Sequence, residues 1–188
     1  MTGFSRRFYT FPAFNAALDD ALDHLGEFTA ALRSGRISRA FGERIMLAVT
    51  HVNGCRYCDY GHTLAALASG VTSDELRALR AGDFAALPQQ EVTALLFAQH
   101  VAQMGGRPDP AAWDRLVATY GPAVACDVLA YIRLILIGNL LGNTFDAFWS
   151  RIAGRPAPGS TLLSEVSVLL GALFLVPLKL AGRLLARL

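Results

Sequence analysis

Glu43, Cys55, Cys58 and His62 form the pattern Glu-x11-Cys-x2-Cys-x3-His, and little else in the chain offers comparable chemistry. Two thiols a helical turn apart can cycle between dithiol and disulfide, and an imidazole backed by a carboxylate can move the protons that this cycle requires. Residues three and four apart share a helix face, so Cys58 is expected beside both Cys55 and His62. If Cys55 opens a helix, the unpaired backbone N–H groups of the first turn favour thiolate over thiol. His62 can then accept the Cys58 proton or stand beside it as a cation. Glu43 lies too far away for contact within one helix. A break at Asn53-Gly54 lets two helices fold back on each other, bringing Glu43 to the second ring nitrogen of His62, where a carboxylate fixes the tautomer. By analogy with other CxxC sites, Cys55, nearer the helix end, is expected to be the more exposed thiol and the nucleophile. Two readings compete with redox chemistry. The cysteines could be a half-buried structural pair, or all four residues could ligate zinc. Against zinc, the chain has no second CxxC or HxxxH to complete a usual structural site.

The elements that must position these residues read as helices throughout. Pro12 suits the first turn of a helix, and Phe14, Leu18, Ala21, Leu25, Phe28 and Leu32 recur at steps of three and four as one apolar face. Ser38 can cap a second helix with Ile45, Ala48, Val49 and Val52 inward, broken at Asn53-Gly54. A third runs from about Cys55 to Gly70, a natural stop. Thr72-Ser-Asp-Glu75 is a capping box opening a short fourth helix. Pro88 starts another, ended by Gly105-Gly106, and Asp109-Pro110 opens the next. Gly121-Pro122 begins a long apolar helix through Leu141, continuing toward Ile152. No alternating strand pattern, internal repeat or low-complexity tract is evident. The expected fold is all-α: residues 1–154 as one helical domain, 155–160 as a Pro/Gly linker, and 161–188 as an additional C-terminal hydrophobic helix.

That last helix is uncharged over Val166–Leu178, shorter than the roughly 17–25 residues of a spanning segment. Lys179, Arg183 and Arg187 then recur every fourth residue on one face, with Leu180, Ala181, Leu184, Leu185 and Leu188 on the other. An apolar entry followed by a basic amphipathic end suits a helix lying at a membrane surface, and equally one packed on the body or on a partner subunit.

Bulk properties bound the function. The 188 residues are 53% hydrophobic and 17% charged, greasier than the roughly 45–50% apolar and about 25% charged of ordinary soluble domains. The excess calls for a large core, an oligomer interface or a membrane surface. A net charge of +2, with no basic run interleaved with aromatics, argues against nucleic acid. Three cysteines are not a disulfide scaffold, and the N-terminus has Arg6 and Arg7 but no apolar h-region, so no secretory signal is expected. The expected location is the reducing cytoplasm, with contact at the inner membrane face open to the C-terminal helix; in that compartment a close cysteine pair is more often catalytic or metal-binding than structural.

The segment Glu43–His62 resembles the signature of the AhpD-like alkylhydroperoxidase, or carboxymuconolactone decarboxylase-like, superfamily. Leu64–Leu76, with its glycine stop and capped short helix, fits as well, as does the all-helical reading of Phe14–Ile152. The resemblance implies a peroxide-reducing or disulfide-reducing thiol enzyme that needs no cofactor or metal. It makes Cys58 the peroxidatic thiol, Cys55 its resolving partner, and His62 with Glu43 a proton relay. On the order of attack it therefore opposes the analogy drawn above. Well-known hydroperoxidases of the group carry a histidine just before the second cysteine, where this chain has Tyr57. The decarboxylase branch does not rely on a redox cysteine pair, so CxxC points to the redox branch. The implied partners are a hydroperoxide, an external dithiol or disulfide-reductase, and further copies of the chain. A noncatalytic, membrane-associated or oligomeric helical protein whose thiols sense redox state or hold metal, and a decarboxylase-type lyase on the same fold, are the alternatives.

Other residues fall around this centre. His51, four before Cys55, and Tyr57 are candidate pocket residues, with packing as the simpler role; Tyr60 also flanks the site. Asp59 suits the helix dipole. Cys126 reads as core within its apolar run. Asn139, Asn143 and Asp146 form a polar stripe that could face the thiol cleft or a subunit interface. His24 and His100 read as surface or helix-end residues without partners.

Overall fold

In the computed structural model, described for residues 6–185, the chain forms eight α-helices and no strand among the described residues. They are α1 (Phe11–Asp23), α2 (Leu25–Ser34), α3 (Arg39–Asn53), α4 (Arg56–Ala68), α5 (Ser73–Ala81), α6 (Val92–Gln103), α7 (Pro110–Ile152) and α8 (Leu162–Leu185). Local signals set most boundaries. The Ser38 hydroxyl caps α3, the Thr72–Glu75 capping box closes in both directions at α5, and the Asp109 carboxylate caps α7 above Pro110. Gly54 ends α3 at φ 70°, a left-handed conformation that glycine adopts without strain, and this turn reverses the chain directly before Cys55.

α3 is the centre of the body. Every residue from Phe41 to Thr50 is buried, because α4, α6 and α7 pack around it. Glycine permits one of these approaches: a Cβ at Gly42 would lie 2.6 Å from the Tyr131 ring. Burying α3 all round also buries its charges, and Arg44 is neutralised by a two-pronged pair with Glu91 at 2.6 and 2.9 Å, with Glu75 alongside. A second, smaller apolar cluster joins Tyr9, Phe14, Leu18 and Leu22 to Val168 of α8.

Several expectations are corrected. The apolar face beginning at Phe14 is not one helix: the chain breaks at His24, α1 turns Leu18 and Leu22 toward α8, α2 packs on α7, and Leu25 and Leu32 are exposed. Periodicity at three- and four-residue steps cannot reveal that two successive segments bury their faces against different partners. Pro88 opens only a turn, with Glu91 N–H donating to its carbonyl, and α6 starts at Val92. Gly121 does mark a change within α7: φ 76° and ψ 162° interrupt the helix before Pro122. Cys126 is exposed rather than core; the buried neighbour is Asp127, which holds Arg36 at 2.7 Å. His24 and His100 both have carboxylate partners, Asp20 and Glu27 for the first and Asp109 at 2.9 Å for the second.

The C-terminal helix packs on α1 and α7. Its basic stripe is turned inward: Lys179 pairs with Asp19 and Asn15, and Arg183 with Asp19 and Asp23. These cations therefore hold the helix to the acidic side of α1. Arg187 and Leu188 lie outside the described residues. The opposite face of α8 leaves Leu163, Leu170, Leu173, Phe174 and Leu178 exposed. By length and composition alone α7 and α8 could each cross a membrane, a test that core helices of soluble proteins also pass.

Candidate functional site

The Asn53-Gly54 turn delivers Cys55 as the N-cap of α4. Its side chain replaces the usual hydroxyl or carboxylate, and Cys58 N–H donates to Cys55 Sγ at 3.3 Å. Cys58 lies one turn into the helix, with its Sγ 2.6 Å from that of Cys55; both cysteines are free thiols. The two sulfurs thus meet without any backbone rearrangement. Their burial reverses the expectation from the helix end: Cys55 is fully buried and Cys58 only partly so.

The two ionisations belong to the pair. Cys55 is pulled down to about 7, first by the hydrogen bond from the Cys58 thiol, against the effect of burial, with help from the helix-start N–H groups and the Arg6 charge. Cys58 is pushed up, first by that same bond and then by burial, although the Asn139 side chain favours its thiolate. One proton is therefore released easily and the other is held between the sulfurs.

Glu43 and His62, 19 residues apart, meet across the α3–α4 turn: His62 Nδ1 lies 2.8 Å from Glu43 Oε2, and Glu43 is buried. His62 and Cys58 are not hydrogen-bonded to each other, but both line an open cleft of about 530 Å³. Its other walls are Tyr57 and Gly61 of α4, Gly138, Leu141, Gly142 and Phe145 of α7, and Leu169 and Ala172 of α8. The lining is almost wholly carbon, with few polar groups, as small-molecule sites commonly are. Tyr57 stands edge-on to Phe145 and directs its hydroxyl to Asp146 at 3.4 Å. It contributes a wall where the resemblance calls for a histidine. Tyr60 is strongly exposed and makes no part of this cleft.

His51 is not in the Cys58 cleft. It lies on the other side of the dithiol, in a polar recess of about 320 Å³ lined by Thr50, Gly54, Cys55, Arg56, Asp59 and Arg80. There its Nε2 meets Asp59 at 3.2 Å, and Arg80 holds the same carboxylate at 3.1 Å. Asp59 is thus a salt-bridge partner rather than a bystander at the helix dipole. Burial lowers the His51 pKa, opposed by Asp59.

The polar stripe on α7 faces neither the open cleft nor solvent. Asn139, Asn143 and Asp146 are buried against the turn that carries Cys55. Asn139 bonds Thr50 and Asn53, and Asn143 donates to the carbonyls of Asn53 and Arg7. Asp146 pairs with both Arg6 and Arg56. Together they lock the backbone beneath the thiols. One residue went unseen in the sequence. A Cβ at Gly142 would lie 2.7 Å from Cys55 Sγ and 3.8 Å from Cys58 Sγ, so glycine there makes the room that the dithiol occupies. The only available signal was Gly138-x3-Gly142 in an apolar helix. Among the described residues no three of His, Cys, Asp and Glu converge as a metal-ligand group.

Comparison with known proteins places this geometry in context. No curated protein and no solved structure matches the chain. Residues 14–100 match the carboxymuconolactone decarboxylase family, which includes AhpD-like enzymes. The match takes in Glu43, Cys55, Cys58 and His62, and stops short of α7 and α8. From within α1 to within α6, the chain is therefore similar to the carboxymuconolactone decarboxylase family.

Proposed function

We propose that this protein is a dithiol oxidoreductase that reduces a hydroperoxide, or a partner's disulfide, through Cys58 and Cys55. The observation that carries this is the 2.6 Å sulfur pair opening onto a cleft shared with the Glu43-backed His62. The buried thiol ionises first, yet the cleft-facing thiol must attack. A short sulfur–sulfur contact reconciles the two, since Cys58 can pass its proton to Cys55 as substrate arrives. The Cys58 thiolate then attacks the terminal peroxide oxygen, the O–O bond breaks, and the alkoxide leaves with a proton from His62. Cys58 is now a sulfenic acid. Cys55 attacks its sulfur, giving the disulfide and water. An external dithiol restores the pair by exchange, leaving its own sulfurs oxidised.

The cycle belongs in a reducing compartment, which we take to be the cytoplasm. The exposed apolar face of α8 is assigned to contact with further copies of the chain, with a membrane surface as the competing occupant. Light scattering together with liposome flotation separates the two.

The deciding test treats reduced protein with one equivalent of cumene hydroperoxide and counts thiols. Two thiols should disappear, mapped to Cys55 and Cys58, and dithiothreitol should return them. Retention of both thiols would rule out this function and leave a lyase or a noncatalytic role.

A further inference from the structure

The family match ends at residue 100, and α7 and α8 complete the cleft beyond it. α8 presents Glu165, Val168, Ala172, Val176, Lys179 and Arg183 toward the body at steps of three and four, with Leu169 beside Val168. Three anchors fix its position. Near its start, fully buried Glu165 holds Arg151 of α7 at 2.8 and 3.1 Å. In the middle, Gly171 lets α8 approach α1 so closely that a Cβ would lie 3.1 Å from Phe11 and Phe14. Toward its end, Lys179 and Arg183 clamp Asp19 and Asp23. Between the first and last anchors, Leu169 and Ala172 line the cleft opposite Cys58 and His62.

We propose that α8 is the specificity wall of the thiol cleft, with Leu169 and Ala172 setting how bulky an apolar group can lie against Cys58. The geometry supports this in two ways. Leu169 takes no part in these anchors, so changing it alters the cleft rather than the helix position, whereas Ala172 also packs on the apolar cluster between α1 and α8. Leu141 and Phe145 of α7 form part of the wall, but at Gly138 and Gly142 no side chain fills the gap, so there the width is decided on the α8 side. A small polar reactant gains little from such walls, whereas an apolar substituent gains by leaving water. The identity of the substrate as a hydroperoxide rests on the function proposed above; the wall itself does not.

The test uses a Cys126→Ser background, which removes the exposed remote thiol, and reads alkylation of Cys58 by peptide mass spectrometry. N-methylmaleimide and N-benzylmaleimide share a reactive group and differ in bulk. Ala172→Trp should lower the benzyl-to-methyl rate ratio by about tenfold, and Leu169→Ala should raise it severalfold, in line with the discrimination that small volume changes give in apolar pockets. Leu169→Ala carries the test alone if the tryptophan variant does not fold. A ratio unchanged in the folded variants overturns the proposal. The same variants should shift the preference between cumene hydroperoxide and hydrogen peroxide in the same direction. A shifted maleimide ratio without peroxide consumption would keep the wall and refute the peroxidase.

Discussion

Two histidine–carboxylate pairs flank the dithiol, one on each side, and they are not equivalent. His62–Glu43 looks onto the apolar cleft with Cys58; its carboxylate is buried, and its contact is 2.8 Å. His51–Asp59 lies in the polar recess beside Cys55, where the contact is 3.2 Å and Arg80 shares the carboxylate. The first pair couples an acid–base group to a cavity that can hold a reactant. The second sits among opposing charges beside a sulfur that solvent does not reach. The difference teaches that proximity to a thiol is not enough to assign a role: of the two histidines, only His62 shares an apolar cavity with the cleft-facing Cys58.

The largest effect expected is at the sulfurs themselves. Cys58→Ser and Cys55→Ser should each lower dithiol-dependent peroxide turnover by about three orders of magnitude or more. Only Cys55→Ser should leave a sulfenic acid, trapped by dimedone at Cys58. A dimedone adduct at Cys55 in the Cys58→Ser protein would reverse the two sides of the comparison.

Next, Glu43→Gln should reduce kcat/KM by about 10²-fold, the low end of what a positioned acid–base group contributes. Asp59→Asn should change it little. Equal losses from both substitutions, measured on folded protein, would erase the distinction between the pairs.

Gly142→Ala should destabilise the reduced protein by about 1–3 kcal/mol in denaturant unfolding, because the added methyl meets Cys55 Sγ in a packed interior. Gly138→Ala, on the same helix but without that clash, should cost less; the nearest atom to its Cβ is the Ile135 side chain at 3.9 Å.

The smallest effect is on pH dependence. With the Cys55 ionisation lowered to about 7, the pair keeps both protons below that pH and loses one above it. Alkylation of the reduced protein should therefore rise through about pH 7, below the ordinary thiol value of about 8.5. The Arg6 charge contributes to the lowering, so Arg6→Ala should move the midpoint slightly upward. A midpoint at the ordinary thiol value would show that the sulfur pair and helix start do not act as described.

Much of the scaffold was legible because its signals are local. A hydroxyl or carboxylate before Phe41, Glu75 and Ala112 predicts the caps found there, and Asn53-Gly54 predicts the reversal that lets Glu43 meet His62. The α1–α2 break, the exposure of Cys126 and the burial of Cys55 were not legible, because each depends on which neighbour a face meets. The same holds for Asn139, Asn143 and Asp146: the stripe was visible, but its target beneath the thiols was not.

From the sequence alone came an all-helical chain with two thiols, an imidazole and a carboxylate brought within reach by one turn, since helix periodicity, caps and breakers act over a few residues. Only the tertiary structure decided which sulfur faces the cleft, that Gly142 makes room for the pair, and that α8 spends its cations on α1 while walling the site. Those outcomes depend on packing between segments up to 164 residues apart, and no local pattern encodes the partner.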